Sequence, residues 1–178
     1  MCERSVAEAQ VACKASPTPK ENPDTIFPSP KGKGRMRTDL CVRAVHQGEM
    51  RVDVHVREHV LAMDYPAEAG RNPSPLELLM ASLAGCAANT LNLVLSKKMG
   101  VRIDSLQVEA RAERRAEHPT VLADIELLYR LGGEPLDAQT VDRAVRVAED
   151  QLCPVLAMLQ PGTRIRSTWV SEAVSVHG

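Results

Sequence analysis

The sequence predicts an α+β domain in which two helices lie against an antiparallel β-sheet, and three observations predict it. Apolar and polar residues alternate with period two in several short stretches; residues 76–99 are apolar at helical spacing on nearly every side; and a second helical stretch from Asp137 is amphipathic. The elements come in the order strands, helix, strands, helix, strand, which places helices against an antiparallel sheet. A chain of 178 residues suits one core-bearing domain plus a tail.

Residues 1–37 hold Pro17, Pro19, Pro23, Pro28 and Pro30 among polar and basic residues, with no apolar periodicity to offset ordering entropy. They read as a mobile, Pro-rich extension, and Cys2 and Cys13 within it read as incidental exposed thiols. Residues 38–178 form the expected domain. Leu40, Val42 and Ala44 alternate with Cys41, Arg43 and Val45, Gln47-Gly48 punctuates, and Val52, Val54 and Val56 alternate with Arg51, Asp53 and His55. That pattern is a β-hairpin with one wet face. A further short strand is expected over 59–63, followed by a loop enforced by Pro66, Gly70, Pro73 and Pro75.

Ser74-Pro75 is a helix start, with serine at the N-cap and proline at the first helical position. The helix is expected to run over 76–99 and stop at Gly100. Its polar face is so narrow that it must be enclosed, by the sheet on one side and by a second helix or subunit on the other. Strands follow over 103–113 and 120–130, the second supported by alternation of Val121, Ala123, Ile125, Leu127 and Tyr129 with polar and apolar neighbours. The amphipathic helix from Asp137 must kink or break at Pro154, directly after Cys153, because proline removes a donor and clashes with the preceding turn. Pro161-Gly162 then turns the chain into a last strand over 164–170.

Charge and composition narrow the function. Lys and Arg number 22 against 23 Asp and Glu, so there is no basic field to draw a nucleic-acid backbone or an anionic membrane surface. Trp169, Tyr65, Tyr129 and Phe27 are the only aromatics, too few for base stacking. No signal peptide is visible at the start, and polar residues interrupt 76–95, which reads as a buried helix and a poor membrane span. A soluble, cytoplasmic protein is expected. The five cysteines, Cys2, Cys13, Cys41, Cys86 and Cys153, form no CxxC pair, which argues against a zinc ribbon or a dense disulfide framework. His55 and His59 share a face of strand-like sequence but have no carboxylate or cysteine partner at ligand spacing, so no metal is expected.

Cys86 and Cys153 carry the chemical interest. A lone cysteine inside an apolar helix is ordinarily a small core residue. Around Cys86, however, Ala84, Gly85, Ala87 and Ala88 leave space, and Ser82, Asn89 and Thr90 fall at helical spacing on roughly its face. Cys153 stands where the helix must bend. Neither thiol is placed at a helix N-terminus by this reading, so a nearby cation, an arginine for preference, would have to lower a thiol pKa.

The run Ser74-Pro75-Leu76-Glu77-Leu78-Leu79-Met80-Ala81-Ser82-Leu83-Ala84-Gly85-Cys86, followed later by Cys153-Pro154-Val155, closely resembles the OsmC/Ohr family of osmotically inducible and organic hydroperoxide resistance proteins, especially its OsmC-like branch. The resemblance covers about residues 37–170. It implies an OsmC-like fold with a long buried central helix, an intertwined homodimer with two active sites at the subunit interface, and a cysteine-based peroxidase acting on organic hydroperoxides. Cys86 would be the peroxidatic thiolate and Cys153 the resolving thiol, with lipoyl-type or other small dithiols as reductant and no metal, flavin or haem. The alternative is a catalytically weak or inactive dimer of the same fold that binds a small apolar ligand.

Family peroxidases activate the first cysteine with an arginine and a glutamate, and the glutamate stands ten residues before it. Leu76 occupies that position here. Glu77 is one residue late, and nine residues at about 100° each turn it roughly 180° from Cys86 on a regular helix. Its other reading is a first-turn carboxylate favoured by the helix dipole. The candidate arginines are Arg71 in the loop and Arg51 and Arg57 in the hairpin region, each of which could equally be a solvated surface charge.

Overall fold

The computed structural model describes residues 40–65 and 71–172. The expected extension over 1–37, with Cys2 and Cys13, lies outside them. The chain divides into two compact units, Met1–Met63 and Asp64–Gly178.

In the first unit, β1 (Arg43–Gly48), β2 (Arg51–Val56) and β3 (His59–Met63) form an antiparallel meander in that order. The first turn is Glu49-Met50, entered through Gly48 at φ 109° with Glu49 at φ 51°; the second is Arg57-Glu58, with Arg57 at φ 55°. Two-residue hairpin loops use positive φ at the first central position, taken here by Glu49 and Arg57, to match the twist of the strands. The second turn corrects the reading of the two histidines. His55 pairs with Val60 and His59 with Val56, so they occupy different strands and opposite faces, and one strand does not carry both.

In the second unit the helix start is as the sequence predicts. Ser74 caps α1 (Pro75–Asn92), its hydroxyl accepting from the Glu77 amide while the Glu77 carboxylate accepts from the Ser74 amide, a reciprocal capping box. The helix continues through a π-helical turn, Leu93–Lys98, and ends at Gly100 with φ 69°. Glycine suits that position because it takes left-handed backbone without steric cost. The stretch Pro75–Lys98 has 24 residues and a mean hydropathy of 1.6, long and apolar enough by length and composition to cross a membrane. The core helix of a globular domain has the same properties, and Leu83, Ala87, Leu91, Val94 and Leu95 here are buried in the core.

Next come β4 (Ser105–Arg114), β5 (Leu122–Gly132), α2 (Ala138–Val147), a π-helical turn (Ala148–Leu152), α3 (Pro154–Leu159) and β6 (Arg164–Glu172). The strand order is β4-β5-β6, antiparallel between β4 and β5 and parallel between β5 and β6. This departs from the single antiparallel sheet expected: there are two three-stranded sheets, and the second is mixed. The reason is the α2–α3 segment, which crosses over between β5 and β6 and so returns the chain in the same direction. Alternation on β5 puts Ile125, Leu127, Tyr129 and Leu131 into the core against α1, α2 and α3.

α1 packs on β4 on one side and on α3 and the turn before it on another. A sheet strand on one side and a second helix on another are as expected, while Ala81, Ser82, Gly85, Asn89 and Leu93 remain exposed.

Candidate functional site

Cys86 lies in the middle of α1, half-buried, and Cys153 is 2% exposed. Proline 154 explains where Cys153 sits. It has no N–H to give the carbonyl of residue 150, and its ring clashes with the preceding turn, so α2 widens and breaks. Cys153 takes an extended backbone, φ −85° and ψ 98°, its amide donating to the Ala148 carbonyl at 2.9 Å, and α3 starts at Pro154. Cys153 is therefore the N-cap residue of a short helix, which corrects the expectation that neither thiol stands at a helix start.

The break brings together two residues 67 positions apart. Cys153 Sγ donates to Cys86 Sγ at 3.0 Å, and both are free thiols. A disulfide is about 2.05 Å long, so roughly 1 Å of side-chain adjustment would join them. Burial pushes the Cys153 thiol up to about 11; its hydrogen bond to Cys86 adds to the shift, and the amides of Leu156 and Val155 oppose it. Cys153 thus keeps its proton at neutral pH, in a hydrogen bond to the other sulfur.

The polar groups expected around Cys86 have other duties. Thr90 donates to the Cys86 and Ala87 carbonyls at 2.9 and 3.1 Å, while Ser82 and Asn89 are exposed. Glu77 is held by Ser74, accepting from its amide and its hydroxyl at 2.7 Å each, and these bonds keep its carboxyl below the usual range. Arg71 is exposed, its backbone amide tied to Asp64 at 2.9 Å. Arg51 pairs with Asp53 at 3.3 Å in the first unit, and Arg57 occupies the β2–β3 turn. Among the described residues neither Arg71 nor Glu77 makes a hydrogen bond with Cys86. A cleft of about 490 Å³ opens between α1 and β4, floored by Met80, Ala84, Ala110 and Ala112, with Glu77 and Arg114 among its lining; Cys86 does not line it.

Sequence reasoning passed over two residues next to the thiols. Tyr129 is fully buried on β5 and its hydroxyl donates to Glu149 Oε1 at 2.7 Å. Burial, then the Glu149 charge, then the two cysteines raise the phenol far above its ordinary range. In the sequence Tyr129 is one of several apolar-face strand residues and Glu149 one of several polar-face helix residues. Only the fold pairs them.

A family model for OsmC-like proteins matches residues 68–168. The protein YhfA of Escherichia coli K12 is 29% identical over 111 residues, covering 62% of this chain and 81% of YhfA. An OsmC-like protein of known structure from Mycoplasma pneumoniae is similar in fold, with a TM-score of 0.69 at 20% identity over 76% of this chain and 99% of its own. An organic hydroperoxide resistance protein OsmC from Legionella pneumophila gives a TM-score of 0.62 at 15% identity, covering 76% of this chain and 98% of its own. By the span of that match, with the paired thiols on the first long helix and at the break in the second, the chain belongs to the OsmC-like protein family.

Proposed function

We propose that this protein is a thiol-dependent peroxidase that reduces organic hydroperoxides, acting as a cytoplasmic homodimer. The observation that carries the reading is the 3.0 Å approach of Cys153 to Cys86. The Cys86 thiolate attacks the hydroperoxide, the O–O bond breaks, the departing alkoxide takes a proton from solvent and leaves as the alcohol, and Cys86 becomes a sulfenic acid. Cys153 then attacks that sulfur; the S–O bond breaks, water leaves with the thiol proton, and a Cys86–Cys153 disulfide forms. A dithiol, of which a lipoyl group is one, reduces the disulfide by exchange and is itself oxidised. The family includes members described as organic hydroperoxide resistance proteins, which supports the substrate class.

The cleft between α1 and β4, set apart from Cys86, and the engagement of Glu77 in the helix cap favour a second reading: a weakly active or inactive dimer that holds a small apolar ligand. One assay separates the two. With cumene hydroperoxide and dihydrolipoamide, the wild type is expected to consume peroxide, Cys86→Ser to lose that activity, and one equivalent of peroxide to yield a Cys86–Cys153 linkage by peptide mass spectrometry. Equal rates for wild type and variant would remove the peroxidase and leave the binding protein.

A further inference from the structure

The segment that ends in Cys153 is tied to the sheet at two points. Tyr129 on β5 and Trp169 on β6 are register partners in the parallel pair, so their side chains stand together on one face. Tyr129 donates to Glu149 at 2.7 Å, and Trp169 donates through Nε1 to Asp142 at 2.7 Å. The two acceptors are 149 − 142 = 7 residues apart, close to two helical turns, and so lie on one face of the segment. Two donors on a rigid sheet, gripping acceptors on one helix face, fix both the rotation and the axial position of that helix. The nearer grip falls inside the π-helical turn Ala148–Leu152, whose closing bond is the Cys153 amide to Ala148. A π-helical turn is a local widening that a regular helix does not adopt without a cause.

We propose that Tyr129 and Glu149 are positioning residues for the resolving thiol: their hydrogen bond holds the turn before Cys153 in the register that keeps its sulfur against Cys86. Neither side chain hydrogen-bonds to a sulfur, the Tyr129 hydroxyl being given to Glu149, and their effect passes through the backbone of residues 149–153. The inference rests on the pairing of Cys86 with Cys153 at this site but not on a hydroperoxide being the oxidant.

The test reads the dithiol–disulfide equilibrium of the full chain in defined ratios of oxidised and reduced dithiothreitol. In this exchange the dithiothreitol disulfide breaks, the Cys86–Cys153 bond forms, and two thiol protons pass to the reagent. Tyr129→Phe keeps the buried ring and removes the donor; Glu149→Ala removes the acceptor; Glu149→Gln keeps an acceptor oxygen and drops the charge. Tyr129→Phe and Glu149→Ala are each expected to lower the equilibrium constant roughly tenfold, because a loosened turn lowers the effective concentration of the Cys153 sulfur at Cys86, with the double variant no worse than either single one. Glu149→Gln should recover most of the loss. A sound fold is checked by circular dichroism and a cooperative melt, and Glu149→Ala stands in if Tyr129→Phe does not fold. Folded variants whose constants stay within about twofold of wild type would overturn the proposal, since the thiols would then meet as readily without the bond. A protein inert to hydroperoxides would sink the peroxidase reading and leave this measurement intact.

Discussion

The two sulfurs of the site are chemically unequal, because Cys153 is buried and donates while Cys86 is half-buried and accepts. Alkylation tracks the thiolate fraction and access. Iodoacetamide at pH 8 is therefore expected to label Cys86 well before Cys153 in the native protein, with Cys153 catching up as the pH rises towards about 11; peptide mapping by mass spectrometry checks the order. The linked stability has a definite sign. The folded thiol value lies above its ordinary 9.0, so the protonated form favours folding. That contribution is whole below 9.0 and is lost as pH climbs through about 11, which urea midpoints measured across that window would register.

At the scale of the element, α1 depends on its first turn. The Ser74 hydroxyl and Glu77 carboxylate close the capping box, and Ser74 is 7% exposed. Ser74→Ala is expected to lower the unfolding free energy by about 1 kcal/mol, read by urea denaturation, with little direct effect on the distant thiols. This also places Glu77 in chemical terms: a carboxylate already accepting two bonds at the helix start is committed to the cap. The second helix works by being broken. Pro154 ends α2 early enough that Cys153 is turned inward, whereas an unbroken amphipathic helix would carry position 153 onward along its own axis.

For the whole molecule, a homodimer is proposed, and the exposed stripe on α1 around Ala81, Ser82 and Gly85 is where a contact with a second copy can be tested. Gly85 is exposed, and a Cβ there meets no atom within 4 Å in its own chain. Gly85→Glu should leave the chain able to fold while placing a charge in a subunit contact. Light scattering is expected to find the wild type dimeric and the variant shifted towards monomer; a wild type that is monomeric at all concentrations would remove the dimer from the proposal.

Local chemistry made several elements legible without coordinates. The Ser74-Pro75 start, the Gly100 stop, the alternation on β5 and the break at Pro154 each follow from dihedral preference or hydrogen-bonding capacity within a few residues. The two cysteines that the fold brings together were singled out by the motifs around them. Pairings across long stretches of chain were not. The turn at Arg57-Glu58 that separates His55 from His59, the parallel docking of β6 on β5, and the Tyr129–Glu149 bond all depend on which surfaces meet after collapse. Periodicity reports which face of an element is apolar, and it carries no information about the partner that face will find. The sequence by itself determined where the first helix begins and ends, that the second breaks at Pro154 and which thiols could react; only the tertiary structure decided that two sulfurs 67 residues apart lie 3.0 Å from each other, because that distance is set by packing helices against a shared sheet.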